Sequence, residues 1–338
     1  VCLPSRRPPV RDRRTAPILY TVKFATLFIL LFILISCGGG GSSGSNEIVI
    51  ENPSQNTNSN SEECSNTETN GLVRCDLNHD NLERYYFIYT PENLDSNKSI
   101  PVLFALHGYG SSAYRHLSYT NYFEIADSNN FIVIYPQGAT TASLSSHWNV
   151  GGWTSKSTVK DIEFLDRIID LTKDKIQIDD TRLYSSGMSN GGYMSYSLAC
   201  NLSDKFAAIA SVTGSMTNDT YDECSPSRPV PVLQIHGLID LVVPYSGNSF
   251  SKSIPDVIDY WVNYNSCNTE PNRSIKTSND SDLIIYDVYD NCINNINVKL
   301  ILHPVMDHTW PTLQEYSISA SNEIWDFVSK YDLYGLID

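Results

Sequence analysis

The sequence is short of positive charge: 23 Lys and Arg stand against 38 Asp and Glu, a formal net charge of −15. Six basic residues and one acidic residue fall within residues 1–36, which leaves 17 against 37, a net of −20, for the rest. Such a surface repels nucleic-acid phosphates and anionic lipid head groups, so no nucleic-acid partner is expected. There is no C-x-x-C pair and no Cys/His cluster, so no metal site is expected. The Asp/Asn-rich stretch 279–295 lacks an EF-hand pattern and reads as a solvated loop around a strand. No internal repeat is visible. No apolar run near the amino terminus reaches the ~20 residues of a membrane span.

What is there begins with an address. Phe24 to Ile35 is an apolar run with Lys23 before it, the length of a signal-peptide core. It ends in Leu34-Ile35-Ser36-Cys37, which resembles a bacterial lipoprotein cleavage box. Residues 1–37 therefore read as a signal peptide, with Cys37 as the lipidated residue and the lipid as a membrane anchor. An ordinary secretory signal with a coincidental Cys is the alternative. Gly38 after the Cys favours the outer membrane or cell surface as destination by analogy. Translation is expected to start at Val22; a precursor peptide containing Arg11 to Arg14 would refute that. Residues 38–62 read as a flexible tether, since Gly38–Ser45 and Asn52–Asn60 lack apolar groups to build a core.

Cysteine usage agrees with export. Of eight cysteines, Cys2 and Cys37 are set aside, leaving Cys64, Cys75, Cys200, Cys224, Cys267 and Cys292. An even number fits disulfides in an oxidising compartment. Six cysteines allow ~15 pairings, and spacing alone does not choose among them.

The most informative stretch is Gly187-Met188-Ser189-Asn190-Gly191. It reads G-x-S-x-G, the strand-to-helix turn that presents a nucleophilic serine. Leu183 and its neighbours form a plausible strand before it, and Gly192 to Cys200 can start a helix after it. Upstream, Pro101 to Leu106 is an apolar run of buried-strand length that ends in His107-Gly108-Tyr109-Gly110. Downstream, Val232 to Ile235 runs into His236-Gly237, and Asp240 follows. Val298 to Leu302 leads to His303 and then to Asp307-His308-Thr309-Trp310-Pro311. The order Ser189, Asp240, His308 is that of α/β-hydrolases. A serine hydroxyl needs a base, and the base needs a partner that orients it and stabilises its charge. His308 is the candidate base and Asp240 the orienting acid.

Each assignment has rivals. Ser189 alone is also compatible with an ordinary Gly-rich turn. Asp307 competes for the acid role, although a sequence neighbour is poorly placed to reach the adjacent imidazole. His303 reads as packed at a strand end, His236 as structural, and His107 as bracing its turn. His79, His116 and His147 come too early in the chain for the base, although His147 is also a cleft candidate.

Residues 63–338 fit one catalytic domain. Strand patterns recur at 85–89, 102–106, 131–135, 182–186, 207–212, 232–235, 283–289 and 298–302. Helical patterns fall at 122–127, 162–173, 192–200, 257–265 and 324–331. Alternation of this kind predicts an α/β class: a mainly parallel sheet with helices on both faces and active residues beyond the carboxyl ends of strands.

Taken together, the motifs resemble the secreted polyhydroxybutyrate depolymerase / feruloyl esterase group of α/β-hydrolases. The resemblance runs from about Arg84 to the carboxyl terminus. It is carried by Leu106–Ser111, Phe131–Pro136, His147-Trp148-Asn149, Gly187–Met194, Asp204–Ala210, Pro231–Gly237 and His308–Pro311. It departs at Val305-Met306-Asp307, where small residues are usual, and at Lys160-Asp161, where two acids are usual. The resemblance implies backbone N–H groups of Tyr109 and Asn190 as the oxyanion hole. It implies disulfides Cys200–Cys224 and Cys267–Cys292, which leaves Cys64–Cys75.

The resemblance also implies a serine carboxylic-ester hydrolase working through an acyl-enzyme, with no cofactor. The first expectation is a polyhydroxybutyrate depolymerase acting on hydroxyalkanoate esters or oligomers. The alternative is a feruloyl or acetyl-xylan esterase acting on plant polysaccharide. A serine peptidase and an inactive surface binding protein are weaker readings. His107, Trp148, Tyr193 and Trp310, with Tyr109 and Trp153 nearby, are expected to line the substrate cleft, although core packing also accounts for any one aromatic.

Overall fold

The structure is a computed structural model that describes residues 62–95, 97–278 and 282–337. The expected signal peptide, Cys37 and residues 38–61 of the expected tether lie outside the described residues, whereas Glu62, the expected last residue of the tether, opens the first strand.

Among the described residues, eleven strands form one sheet. They are β1 (Glu62–Asn66), β2 (Leu72–His79), β3 (Leu82–Tyr89), β4 (Ile100–Leu106), β5 (Ile132–Pro136), β6 (Ile178–Met188), β7 (Phe206–Val212), β8 (Val232–Gly237), β9 (Asn272–Thr277), β10 (Leu283–Tyr289) and β11 (Val298–His303). Their spatial order is β1-β2-β3-β5-β4-β6-β7-β8-β11-β10-β9. The block from β5 to β11 is parallel throughout, and antiparallel strands flank it on both sides.

Parallel strands are covered on both faces, which is why they read as unbroken apolar runs. Side chains alternate across the sheet. In β4, Leu103 and Ala105 enter one core, while Val102, Phe104 and Leu106 enter the other. The first core lies under α1 (Ala113–Thr120), α2 (Tyr122–Asn129) and the carboxyl-terminal α8 (Ala320–Val328). The second face is covered by α3 (Asp161–Lys173), α4 (Asn190–Asn201) and α6 (Ile254–Tyr264). Two short helices, α5 (Asn218–Glu223) and α7 (Leu313–Tyr316), sit in connections. Among the described residues, no helix is long and apolar enough to cross a membrane.

Local signals set the helix starts. Ser112, Ser253 and Ser319 each accept a hydrogen bond from the amide three residues on, at the starts of α1, α6 and α8. The sheet edges were not legible in the sequence. β1 and β9 are mostly polar, and β9 is exposed along its whole length, so neither shows an apolar pattern. Helix α1 was missed because two of its buried positions are polar, His116 and Thr120.

Three disulfides close the loops. Cys64 and Cys75 are directly opposite on β1 and β2 and are bonded. Cys200 at the end of α4 bonds Cys224, and Cys267 beyond α6 bonds Cys292. A buried ion pair ties β3 to α3: Arg84 Nη2 donates to Asp161 Oδ1 at 2.8 Å, with both side chains almost fully buried. Asp161 Oδ2 accepts from the Asn149 amide at 2.8 Å. The departure at residue 160 costs nothing here, because the exposed Lys160 reaches outward to Asp80 at 3.3 Å.

Removing one member of such a pair strands the other in low dielectric, at a cost of about 3–5 kcal/mol. Asp161→Ala is therefore expected to lower the midpoint of urea unfolding far more than Lys160→Ala. Equal midpoints for the two variants would show that Asp161 does not hold this junction.

Candidate active site

The elbow is built from backbone strain. Ser189 follows β6 directly and sits at φ 53°, ψ −121°. That region costs about 1–3 kcal/mol and persists only where the surroundings over-determine it. The Ser189 amide donates to Val212 O at 2.8 Å, and its carbonyl accepts from the Tyr193 amide at 3.0 Å, the first turn of α4. The glycines explain the tightness. A Cβ on Gly187 would lie 2.3 Å from the carbonyl carbon of Gly191, and one on Gly191 would lie 2.0 Å from Leu106 O. No side chain fits between β4, β6 and α4 at this point.

The residue after Ser189 is locked from the other side. Asn190 is fully buried. Its Oδ1 accepts from the Trp148 amide at 2.7 Å and its Nδ2 donates to Trp148 O at 3.0 Å. Trp148 Nε1 donates to His107 O at 2.9 Å. Asn149 continues the chain of bonds to Asp161 and Arg84. The motif His147-Trp148-Asn149 is thus a brace joining the loop after β4, the elbow and the buried ion pair. The backbone amides of Tyr109 and Asn190 donate to no described residue. They are two unspent donors in the residues that follow Gly108 and Ser189, and a Cβ on Gly108 would lie 3.5 Å from the Ser189 Cβ.

Asp240 and His308 come from loops after β8 and β11. These loops are stitched together: Leu238 N donates to His303 O at 3.0 Å, and a Cβ on Gly237 would lie 1.8 Å from Met306 O. His308 Nδ1 donates to Asp240 Oδ2 at 2.8 Å. Asp240 Oδ1 accepts from the amides of Val242 and Val243, both at 2.9 Å. Burial pushes the Asp240 carboxyl up, but the bonds from His308 and Val243 outweigh it and hold the pKa below its ordinary value. Asp307, the rival acid, accepts instead from Tyr316 Oη at 3.1 Å. The Ser189 hydroxyl has no hydrogen-bond partner among the described residues, His308 included; such bonds are commonly long before substrate is bound.

Four of the other histidines are tied into their surroundings by hydrogen bonds. His107 is fully buried; burial pushes its pKa down to about 4, against the opposing effect of its bond to Gly108 O. Its Nδ1 donates to Gly108 O at 2.8 Å, and its Nε2 accepts from the Gly138 amide at 2.9 Å. Burial likewise holds His236 at about 4, with Nε2 donating to Val243 O at 2.9 Å. His303 Nε2 donates to Tyr316 O at 3.1 Å. His147 bonds Ser145 O and Ser157 Oγ, both at 2.8 Å.

The cleft differs from expectation. His107 and Trp148 are fully buried behind the elbow and do not line it, because their polar atoms are spent on bracing. Trp310 packs edge-on against His116 and Tyr122 and faces a different cavity. Beside Ser189 lies a cavity of about 270 Å3 walled by Tyr109, Trp153, Tyr193, Val242, Val243 and Phe250. Tyr193 Oη and Ser251 Oγ hydrogen-bond at 2.6 Å at its edge, and Trp153 packs edge-on to Tyr193 at 4.7 Å. Val242, Val243 and Phe250 were missed, and no motif marks them.

Comparison with known proteins places this geometry. The profile of the prolyl oligopeptidase family matches residues 117–226, which include Ser189 but end before Asp240 and His308. A bifunctional acetylxylan esterase/xylanase of Neocallimastix patriciarum is 29% identical over 249 residues, 73% of this chain and 33% of that protein. Feruloyl esterase B of Piromyces equi is 26% identical over 261 residues, 74% of this chain and 46% of that protein. The chain thus spans a third to just under half of the length of these relatives. Among solved structures, a ferulic acid esterase from Anaeromyces mucronatus superposes with a TM-score of 0.52 at 16% identity, covering 78% of this chain and 93% of that one. The fold is that of the α/β-hydrolases, as the sequence predicts. The relatives' names match the alternative reading, esters of plant polysaccharide, and not the first expectation of a polyhydroxybutyrate depolymerase.

Two outcomes are expected. Asp240→Asn should lower kcat for ester hydrolysis about 10⁴-fold by favouring the wrong imidazole tautomer, with Asp307→Asn far milder; the reverse ranking would transfer the acid role to Asp307. His107 and His236 have folded pKa values below that of a free imidazole, so their stabilisation is complete above about pH 6.5. It is lost as the pH falls towards about 4, their folded value. Unfolding free energy should decline across that window, and a flat profile from pH 7 to pH 4 would contradict the burial of neutral imidazoles.

Proposed function

We propose that the chain is a serine carboxylic-ester hydrolase that releases aromatic or small acyl groups from plant polysaccharide. The observation that supports this best is the conjunction of Ser189 on a strained elbow, the His308–Asp240 bond of 2.8 Å and the aromatic-walled cavity at Ser189. A cavity of about 270 Å3 lies just under the ~300–1,000 Å3 of drug-sized sites. One substituted ring fills it with its edges against Tyr109, Trp153 and Phe250.

In this reading Ser189 Oγ attacks the ester carbonyl and passes its proton to His308 Nε2. The carbonyl electrons move onto the oxygen held by the Tyr109 and Asn190 amides. The carbon–oxygen bond to the alcohol breaks, and His308 delivers the proton to the leaving oxygen. Water then gives a proton to His308 and its oxygen to the acyl carbon. The acid departs as Ser189 regains its proton. Asp240 holds the imidazole with Nδ1–H pointing inward throughout.

The setting is part of the proposal. Three disulfides suit an oxidising compartment. A lipid on Cys37 with residues 38–61 as tether puts the catalytic domain at the cell envelope, whereas an ordinary signal releases it. Cys37→Ala should move the protein from the envelope fraction to the medium; unchanged partition removes the anchor.

The catalytic reading is tested with methyl ferulate and hydroxybutyrate trimer, using Ser189→Ala as control. Acid release from ferulate that disappears in the control is expected. Preference for the trimer would restore the polyester reading, and activity surviving in the control would overturn Ser189 as nucleophile.

A further inference from the structure

A second and larger recess lies against the residues that neighbour Ser189 and His308 in the chain. Its inner part, about 450 Å3, is walled by Met188 and Thr309, the neighbours of Ser189 and His308, together with Tyr119, Trp310, Thr312 and Gln314. Four of these residues, Tyr119, Trp310, Thr312 and Gln314, also wall an outer part of about 620 Å3. The outer part runs between α2 and α8, where it is bordered by Asn121, Glu124, Asn129, Asn322 and Asp326. The two parts adjoin through these four shared walls, and neither shares a lining residue with the apolar cavity at Ser189; together they are taken as one groove.

The chemistry of an ester assigns the two sides. The acyl carbon must sit at Ser189 and beside the Tyr109 amide, and both residues wall the apolar cavity. The alcohol oxygen must lie on the imidazole side, because His308 protonates it as it leaves. The groove starting at Thr309 therefore receives the alcohol.

Its lining says what kind of alcohol. None of the residues lining it is Lys or Arg, which disfavours an anionic polymer. Uncharged amides, carboxylates and the rings of Tyr119 and Trp310 line it together. The side chains of Gln314, Asn322 and Asp326 are exposed and make no hydrogen bond or ion pair among the described residues, so their donors and acceptors are available. A polyester backbone has no donors to offer them, and covering them with it leaves buried polar groups unpaired. A chain of sugar rings offers hydroxyls as donors and acceptors to the amides and carboxylates, and flat faces to the rings.

Resting on the esterase reading above, we propose that this groove binds several consecutive sugar units of the leaving polysaccharide. Gln314, Asn322 and Asp326 hydrogen-bond its hydroxyls, and Tyr119 packs against the unit nearest the scissile bond. The apolar cavity selects the acid, and the groove selects the length of the alcohol.

Two measurements on the full chain test this. Unesterified xylotetraose is titrated into Ser189→Ala by calorimetry, with hydroxybutyrate trimer as competitor. Binding is expected, weakened at least about fivefold by adding Gln314→Ala and Asn322→Ala, the loss that one or two hydrogen bonds predict. In parallel, kcat/KM for a feruloylated xylo-oligosaccharide is divided by that for methyl ferulate. The ratio should exceed about ten and fall towards one in Gln314→Ala/Asn322→Ala, each tenfold being 1.4 kcal/mol. No xylotetraose binding, competition by the trimer alone, or a ratio unmoved by the variants would overturn the groove. If xylotetraose binds as expected but neither ester is cleaved, the groove stands and the esterase reading fails.

Discussion

The site depends on one strained residue. Ser189 holds a backbone conformation that a chain of L-residues avoids. It persists because β4, β6, β7 and α4 converge on it with no room for another arrangement. Gly187 and Gly191 supply the absence of side chains, Val212 O supplies the hydrogen bond, and the Asn190–Trp148 pair pins the next residue. From Trp148 the same bracing reaches His107 on one side and, through Asn149 and Asp161, Arg84 on the other. The elbow is rigid because a buried network of amides and one ion pair converts the strain into a fixed direction for the hydroxyl and the two flanking N–H groups.

Much of this was readable in the sequence, for a definite reason. The central parallel strands are buried on both faces, so Val102–Leu106, Ala207–Val212 and Val232–Ile235 carry their own signature. The elbow and the order of Ser189, Asp240 and His308 are constrained by chemistry, and chemistry leaves motifs. The edges were not readable: Glu62–Asn66 and Asn272–Thr277 are strands only because a neighbour offers them backbone partners. The cleft was misread for a related reason. An aromatic residue in a motif loop is equally suited to face inward or outward. Trp148 faces inward because its carbonyl, amide and indole N–H are all engaged, and no spacing rule reports that. Val242, Val243 and Phe250, which wall the cavity at Ser189, belong to connections held by Asp240 and Asn248.

The two acids that competed for one role show how the fold decides between equivalent side chains. Asp307 is nearer to His308 in sequence, yet its carboxylate is engaged by Tyr316. Asp240 is sixty-eight residues away and reaches the imidazole because Gly237 lets the loop after β8 press against Met306. Two backbone amides hold one carboxylate oxygen while the other accepts from the imidazole. The contact is long-range in sequence and short in space, so both loops must be correctly placed for either to be useful.

The outermost strand β9 has a consequence beyond holding β10. A wide open sheet ends in unpaired backbone groups, and such a rim is a template on which other chains polymerise. Here the rim carries Arg273, gripped by Asp287, and Lys276 lying over Tyr286, so an incoming strand meets fixed positive charge along its path. At the opposite rim, β1 is covalently stapled to β2 and carries Glu62 and Glu63. One rim is cationic and one anionic, and each deters its own kind. Each rim therefore resists pairing with its own counterpart on a second copy, a property written in residues that contribute least to the core.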